Sequence, residues 1–176
     1  MNQPPTTAAM NIRPVRPDDT LLMQSFLQGL GDESRRHRFH GAVNACSSGL
    51  LRLMTCADGS RHVAWVVVGT APGGPRLLGE ARLFRSASGD EAEMALAVAD
   101  DCRGQGVADR LMQTLVAAAG ARGVQRLRAE VELSNRRMRA FVQRHGFAEG
   151  KAAVDAEPGV LTLVRSVADL RRRRLH

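Results

Sequence analysis

Tyrosine is absent from this 176-residue chain, and aromatic residues of all kinds make up 3% of it. No phenol can therefore serve as an acid, a base or a donor in any site the protein builds. Lysine is almost missing as well: lysine and arginine total 25, and Lys151 is the sole lysine. Cysteine is sparse. Cys46, Cys56 and Cys102 are an odd number without metal-ligand spacing, which argues against a zinc site or a disulfide framework and for reduced thiols in a cytoplasmic protein. No apolar run reaches the length of a membrane span, and the polar, proline-bearing start does not read as a signal peptide. Neither an internal repeat nor a second domain is visible.

What is present suffices for one mixed domain with a real core. Residues 1–10 read as a disordered segment, 11–167 as the domain, and 168–176 as a basic tail carrying Arg171 to Arg174. The net charge of +7 suits a phosphate-bearing ligand or nucleic acid. A charged terminus is most often simply solvated, so nucleic acid is the weaker expectation. His37 and His40 lack partner ligands, and no metal is expected.

Short strands are expected at Ile12–Arg16, His62–Val68, Leu77–Arg85, Glu91–Ala99 and Val124–Leu133. A last hairpin is expected across Phe147–Asp155 and Val160–Val167. Pro17-Asp18-Asp19 opens a helix whose apolar stripe reads Leu21, Leu22, Phe26, Leu27 and Leu30. Glu33–Phe39 and Leu50–Met54 suggest two more short helices. A long helix opens at about Gly104 and buries Val107, Leu111, Met112, Leu115 and Val116. Ser134 is the expected N-cap of the last helix, whose buried face reads Met138, Phe141, Val142 and His145. Trp65 reads as core, and His62 and His145 as structural.

The stretch Arg103-Gly104-Gln105-Gly106-Val107-Ala108 joins a strand to that long helix. A glycine-bearing turn at a helix N-terminus gathers amides that no helical carbonyl accepts, at the positive end of the dipole. Such a place favours phosphate, and the arginine adds a charge with bidentate geometry. Cys102 stands just before the helix, where a dipole can lower a thiol's pKa, but a bystander thiol is the stronger expectation.

Before that turn, the strand Glu91–Ala99 has two unlike faces. Met94, Leu96 and Val98 read as core. Glu91, Glu93, Ala95, Ala97 and Ala99 point the other way, and the small residues leave room for a ligand or a packed helix. A partly desolvated glutamate can rise in pKa and act as a general base. Glu93 is the leading candidate, followed by Glu91 and by Glu80 on the preceding strand.

The order of these features resembles the GNAT superfamily of N-acetyltransferases. Arg103, Gly106 and Ala108 match that family's Gln/Arg-x-x-Gly-x-Gly/Ala signature, and Asn135 with Gly146-Phe147 matches its next block. The resemblance runs from about Asn11 to Val167. It implies an α/β (α+β) fold, with a twisted, mixed, mostly antiparallel sheet of about seven strands flanked by helices. That sheet would be splayed between its fourth and fifth strands. It also implies acetyl-CoA as co-substrate and an amine as acceptor. The backbone of Leu96, Ala97 and Val98 would run beside the pantetheine arm. Arg103, Gly104, Gln105, Gly106, Val107 and Ala108 would hold the diphosphate. Asn135 would contact the pantetheine region, and Arg137 would reach the nucleotide phosphate.

Ile12–Asp19 and Glu33–Phe39 resemble, more narrowly, the acetyltransferase domain of bacterial Pat-type protein lysine acetyltransferases. There the glutamate of an Ala-Glu-Phe/Val-Ala strand is taken as the base, here Ala92-Glu93-Met94-Ala95. A protein lysine is then the favoured acceptor, and the chain is expected to be a bacterial monomer or homodimer. Larger relatives carry a fused cyclic-nucleotide or synthetase-like region, for which this chain has no expected room. One departure stands out. The family's usual tyrosine, four residues before the Gly-Phe pair, is Val142 here. Either the thiolate leaves without a side-chain acid, or Ser134 or Cys102 serves. A small-molecule amine acetyltransferase and a non-catalytic acyl-CoA sensor remain the alternatives.

Overall fold

Asp19 sets the first helix in place. It accepts the Arg16 N–H at 2.8 Å and a pair of bonds from the Arg13 guanidinium at 2.7 and 2.6 Å. Pro17 at the first position has no N–H to lose there. A 3₁₀ turn, Pro17–Asp19, therefore feeds α1, Thr20–Gly29. The computed structural model describes residues 10–39, 47–151 and 157–167. The expectations for the N-terminal segment, His40, Cys46, the far side of the last hairpin and the basic tail lie outside them.

The other helices are α2 (Asp32–Phe39), α3 (Ser48–Thr55), α4 (Val107–Ala121) and α5 (Arg136–Arg144). The strands are β1 (Asn11–Pro14), β2 (His62–Ala71), β3 (Gly74–Arg85), β4 (Glu91–Val98), β5 (Arg126–Glu132), β6 (Ala148–Glu149) and β7 (Val160–Ser166). Seven strands form one sheet in the order β1-β2-β3-β4-β5-β7-β6. The β4–β5 pair is parallel, whereas β1–β2, β5–β7 and β6–β7 are antiparallel. This is the mixed, mostly antiparallel α/β architecture expected.

Contacts group into two compact units, and β3, β4 and α4 each contribute to both. The first unit spans the chain to Arg82 together with Leu96–Gln113. Its core is Met23, Phe26 and Leu27 of α1 and Leu30 just past its end, with Leu51, Met54, Val66, Leu77 and Ala97. Positions 23, 26, 27 and 30 follow helical spacing, so they face one way. Leu21, placed on the stripe from sequence, is instead 74% exposed, and Met23 takes the buried place. α3 starts on Ser47, whose hydroxyl accepts the Leu50 N–H at 3.2 Å. Trp65 is half-buried between fully buried neighbours, so Val66 and not Trp65 fills the core.

Gly79 fixes how closely β3 approaches its neighbours. A Cβ there would lie 2.9 Å from the Ala97 carbonyl oxygen and 2.9 Å from Val107 Cγ1. Any larger residue would push apart the strand and helix that carry the Arg103–Ala108 turn. The β4 reading also needs one correction. Burial alternates as far as Leu96, and then Leu96 and Ala97 are both buried while Val98 is half-buried. The strand changes phase at that step, so Ala97 joins the core in place of Val98.

The second unit comprises Leu83–Ala95 and the chain from Thr114. Here β4 pairs with β5 from Glu91–Arg126 to Met94–Ala129, while β5 pairs with β7 along its whole length. Val124 and Gln125 precede β5 because their amides bond the Ala119 and Asp90 carbonyls. Phe141 and Val142 bury the inner face of α5. His145 ends that helix with its ring 4.6 Å from the Phe141 ring.

Candidate active site

The Arg103–Ala108 turn lies wholly in the first unit. Asp100–Cys102 forms a 3₁₀ turn, and Arg103 then extends with φ −65° and ψ 147°. Gly104 and Gly106 have φ of +75° and +78°. Only glycine enters that region readily, at a cost to other residues of about 1–2 kcal/mol. A Cβ at either position would meet nothing within 4 Å. The glycines therefore answer to backbone conformation, and they leave open space beside the main chain.

α4 accordingly opens at Val107, three residues after the expected start, since two left-handed glycines cannot be helical. The first bond into it runs from Arg110 N–H to the Gly106 carbonyl at 3.1 Å. The amides of Gly106, Val107 and Ala108 lie ahead of that ladder, as an anion site requires. Val107 is 1% exposed and packs its side chain inward, so only its backbone faces a ligand's needs. Leu96 and Ala97 are likewise buried by their side chains. Gln105 turns its amide nitrogen to the Asp101 carbonyl at 3.1 Å.

Arg103 is held from two sides. Its Nη2 pairs with Asp100 and donates to the Ser34 hydroxyl. Asp100 in turn accepts the Ser34 hydroxyl at 2.7 Å and the Gly31 N–H at 2.8 Å. Burial opposes the charge on Asp100. The Gly31 amide, Ser34 and Arg103 outweigh it and hold the carboxyl below the usual carboxylate range. Cys102 follows the bystander reading and not the activated one. It is fully buried, and burial pushes its thiol up despite a bond from Arg76 Nη2 at 2.8 Å. Desolvation overrides the nearby helix end.

The three glutamates diverge. Glu80, in the first unit, is 1% exposed and accepts Arg38 Nε at 2.6 Å and Arg82 Nε at 2.9 Å. Burial disfavours its charge, yet the two arginines keep its carboxyl below the ordinary value. Both oxygens are committed, so Glu80 is a strut and not a base. Arg82 Nη1 also meets His62 Nε2 at 3.1 Å. Arginine only donates, so that nitrogen accepts and the ring is neutral. Burial, then Arg82, lowers the His62 pKa.

Glu93 and Glu91 lie in the second unit. Glu93 Oε2 accepts Arg128 Nη2 at 3.1 Å, directly opposite in the parallel ladder, and its side chain is 43% exposed. Glu91 takes Arg126 Nε at 3.1 Å. Asn135 is the N-cap of α5: its Oδ1 accepts the Met138 N–H at 3.0 Å. That place was assigned to Ser134, whose hydroxyl instead donates to Glu132 at 3.0 Å. Arg137 is exposed on α5, and Val142 is fully buried. Among the described residues, no group of three or more His, Cys, Asp or Glu could hold a metal ion.

The turn, Leu96–Val98 and Glu80 thus fall in one unit, and Glu93, Asn135 and Arg137 in the other. Asp100 and Ser34 were missed. Their only signal in the chain is an aspartate before the signature and a serine in a polar helix, and neither has a spacing that reveals the pairing.

A family model described as the acetyltransferase (GNAT) family matches residues 23–147. An acetyltransferase of Pseudomonas aeruginosa is 29% identical over 136 residues, 77% of this chain and 73% of that protein. The acetyltransferase Pat of Mycolicibacterium smegmatis is 32% identical over 136 residues, 77% of this chain and 40% of that protein. The crystal structure of the GNAT domain of S. lividans PAT superimposes with a TM-score of 0.80 at 27% identity, covering 94% of this chain and 96% of that one.

Proposed function

Since the chain belongs to the GNAT family of acetyltransferases, we propose that it moves an acetyl group from acetyl-CoA directly to the side-chain amine of a protein lysine. The observation that carries this reading is the Arg103–Ala108 turn. Two left-handed glycines open the main chain at the start of α4, and an arginine stands beside them. The amides of Gly104 to Ala108 would take the diphosphate, and the backbone of Leu96 to Val98 the pantetheine arm. Asn135 retains its side-chain NH₂ for the same ligand, and exposed Arg137 has the charge for its nucleotide phosphate.

Glu93 is the proposed base. It accepts a proton from the ammonium, directly or through one water. The freed nitrogen lone pair attacks the thioester carbon, an N–C bond forms, and the C–S bond breaks. The electron pair leaves on sulfur as a thiolate, and the second proton, lost from nitrogen as the amide forms, passes through water to that thiolate. A thiol is acidic enough to leave without an adjacent acid. That route suits Val142, a core residue with no proton to give. Direct transfer relies on proximity and forms no acyl-enzyme.

The lysine acceptor is favoured by the likeness to Pat, of which this chain matches 40%. We further propose a cytoplasmic bacterial setting. Among the described residues, no helix is long and apolar enough to cross a membrane. The test is labelled acetyl-CoA offered with candidate proteins and with small amines. Label on protein lysine supports the reading, and label on small amines alone reassigns the acceptor. Glu93→Gln should bind acetyl-CoA normally and lose roughly 10²–10⁴-fold in turnover. Full activity in that variant removes Glu93 from the mechanism.

A further inference from the structure

α2 has little apolar anchorage: Phe39, half-buried at its end, packs against the core of the first unit. None of its residues is fully buried, and its sequence is Asp-Glu-Ser-Arg-Arg-His-Arg-Phe. Polar contacts therefore make a large share of its attachment. One is Arg38 to the buried Glu80. Another is Ser34, which bonds both Asp100 and Arg103. That second contact reaches the turn on which the proposed function rests.

The arrangement is a closed triangle. The Ser34 hydroxyl donates to Asp100 Oδ1 and accepts from Arg103 Nη2, and the same Nη2 pairs with Asp100 Oδ1. Asp100 Oδ2 is separately fixed by the Gly31 amide. Arg103 is thus tethered through one nitrogen of three. Its Nε–H and Nη1 donors point away from that tether, and each is left to donate to a phosphate oxygen. A long flexible side chain ordinarily loses rotamer freedom when it binds, and prior fixation removes part of that cost.

We propose that Asp100 and Ser34 are positioning residues that hold Arg103 ready for the diphosphate of the acyl donor. The inference rests on the acetyl-CoA reading above. It predicts that the affinity of the turn is set partly by α2, an element that contributes no ligand contact of its own to the diphosphate.

The experiment is calorimetric binding to the full chain of acetyl-CoA and of acetyl-pantetheine, which lacks the diphosphate. Ser34→Ala should weaken acetyl-CoA on the order of tenfold and leave acetyl-pantetheine unchanged. Ser34→Thr, which keeps the hydroxyl, should restore binding. In Arg103→Ala, adding Ser34→Ala should cost nothing further, because the residue being positioned is gone. A merely structural role would weaken both ligands alike, and that result overturns the proposal. So does wild-type affinity in Ser34→Ala, or a loss that adds in full to that of Arg103→Ala. In those outcomes wild type still binds acetyl-CoA, and the functional reading stands. If wild type prefers acetyl-CoA to acetyl-pantetheine not at all, both the phosphate site and the positioning role fall. Asp100→Asn is the second probe, with the Gly31 amide exchange rate as its check: the proposal expects faster exchange together with weaker acetyl-CoA binding.

Discussion

Two helices of this protein begin in opposite ways. α5 starts on Asn135, whose own side chain takes the Met138 N–H and so satisfies an amide of the first turn. α4 starts on Gly106, which has no side chain to give, after a second left-handed glycine at 104. Both ends carry the same dipole and the same surplus of donors. The first end spends a donor on folding. The second leaves its leading amides beside open main chain and brings an arginine instead. What precedes a helix N-terminus thus decides whether its first amides are capped or left open. α1 is a third arrangement: Asp19, just ahead of it, gives no side-chain bond to its first turn and instead takes the preceding Arg16 amide and the Arg13 guanidinium.

The largest expected effect comes from closing the open end. Gly106→Ala forces a side chain into φ +78°, a strain of about 1–2 kcal/mol that the turn relieves by moving. Acetyl-CoA affinity should fall roughly tenfold or more by calorimetry. Unchanged affinity would mean that the glycine is there for the chain alone.

The capped end should respond in stability. Asn135→Ala removes the cap and should cost about 1 kcal/mol, seen as a denaturation midpoint lowered by a few degrees. Asn135→Ser should recover most of it. A loss of acetyl-CoA affinity larger than the loss of stability would give Asn135 the ligand contact that the family resemblance implies.

Acid should separate the neutral Asn135 from the charged Asp19. The Arg13 bond holds the Asp19 carboxyl below its ordinary value, against the opposing pull of burial. Asp100 is also held low, as described above. Unfolded, such groups titrate near about 4. Below that, the unfolded chain binds more protons than the folded one, so stability drops as pH falls and is intact above it. Asp19→Asn should flatten stability between roughly pH 5 and pH 2, while Asn135→Ala should shift the whole curve without changing its slope.

The smallest effect concerns Cys102, which stands next to the open helix end. Burial raises its thiol pKa, so an alkylating reagent should modify exposed Cys56 first. Faster modification of Cys102 would show that the helix end acts on it after all.

Strand and helix order was legible because it depends on local pattern: Pro17-Asp18-Asp19 opens a helix, and alternation marks most of β4. The glycine turn ahead of α4 was legible for the same reason, since glycine spacing encodes backbone conformation directly. What was hidden depends on distant partners. Nothing local shows that Glu80 lies between Arg38 and Arg82, or that Ser34 reaches Arg103 across 69 positions of sequence. Ala97 misled because the phase of β4 changes at Leu96–Ala97, and a two-residue period cannot foresee its own break. Ser134 misled because it and Asn135 are equally good caps by type, and only the path of the chain decides which faces Met138.

The central claim is that main-chain amides at the start of α4 grip a diphosphate. Titration of isotope-labelled protein with CoA, followed by amide NMR, tests it most directly. The account predicts the largest shifts at Gly104 to Ala108, with little change at the capped Met138 amide. Shifts absent from those five amides, in a protein that nonetheless binds CoA, would contradict it.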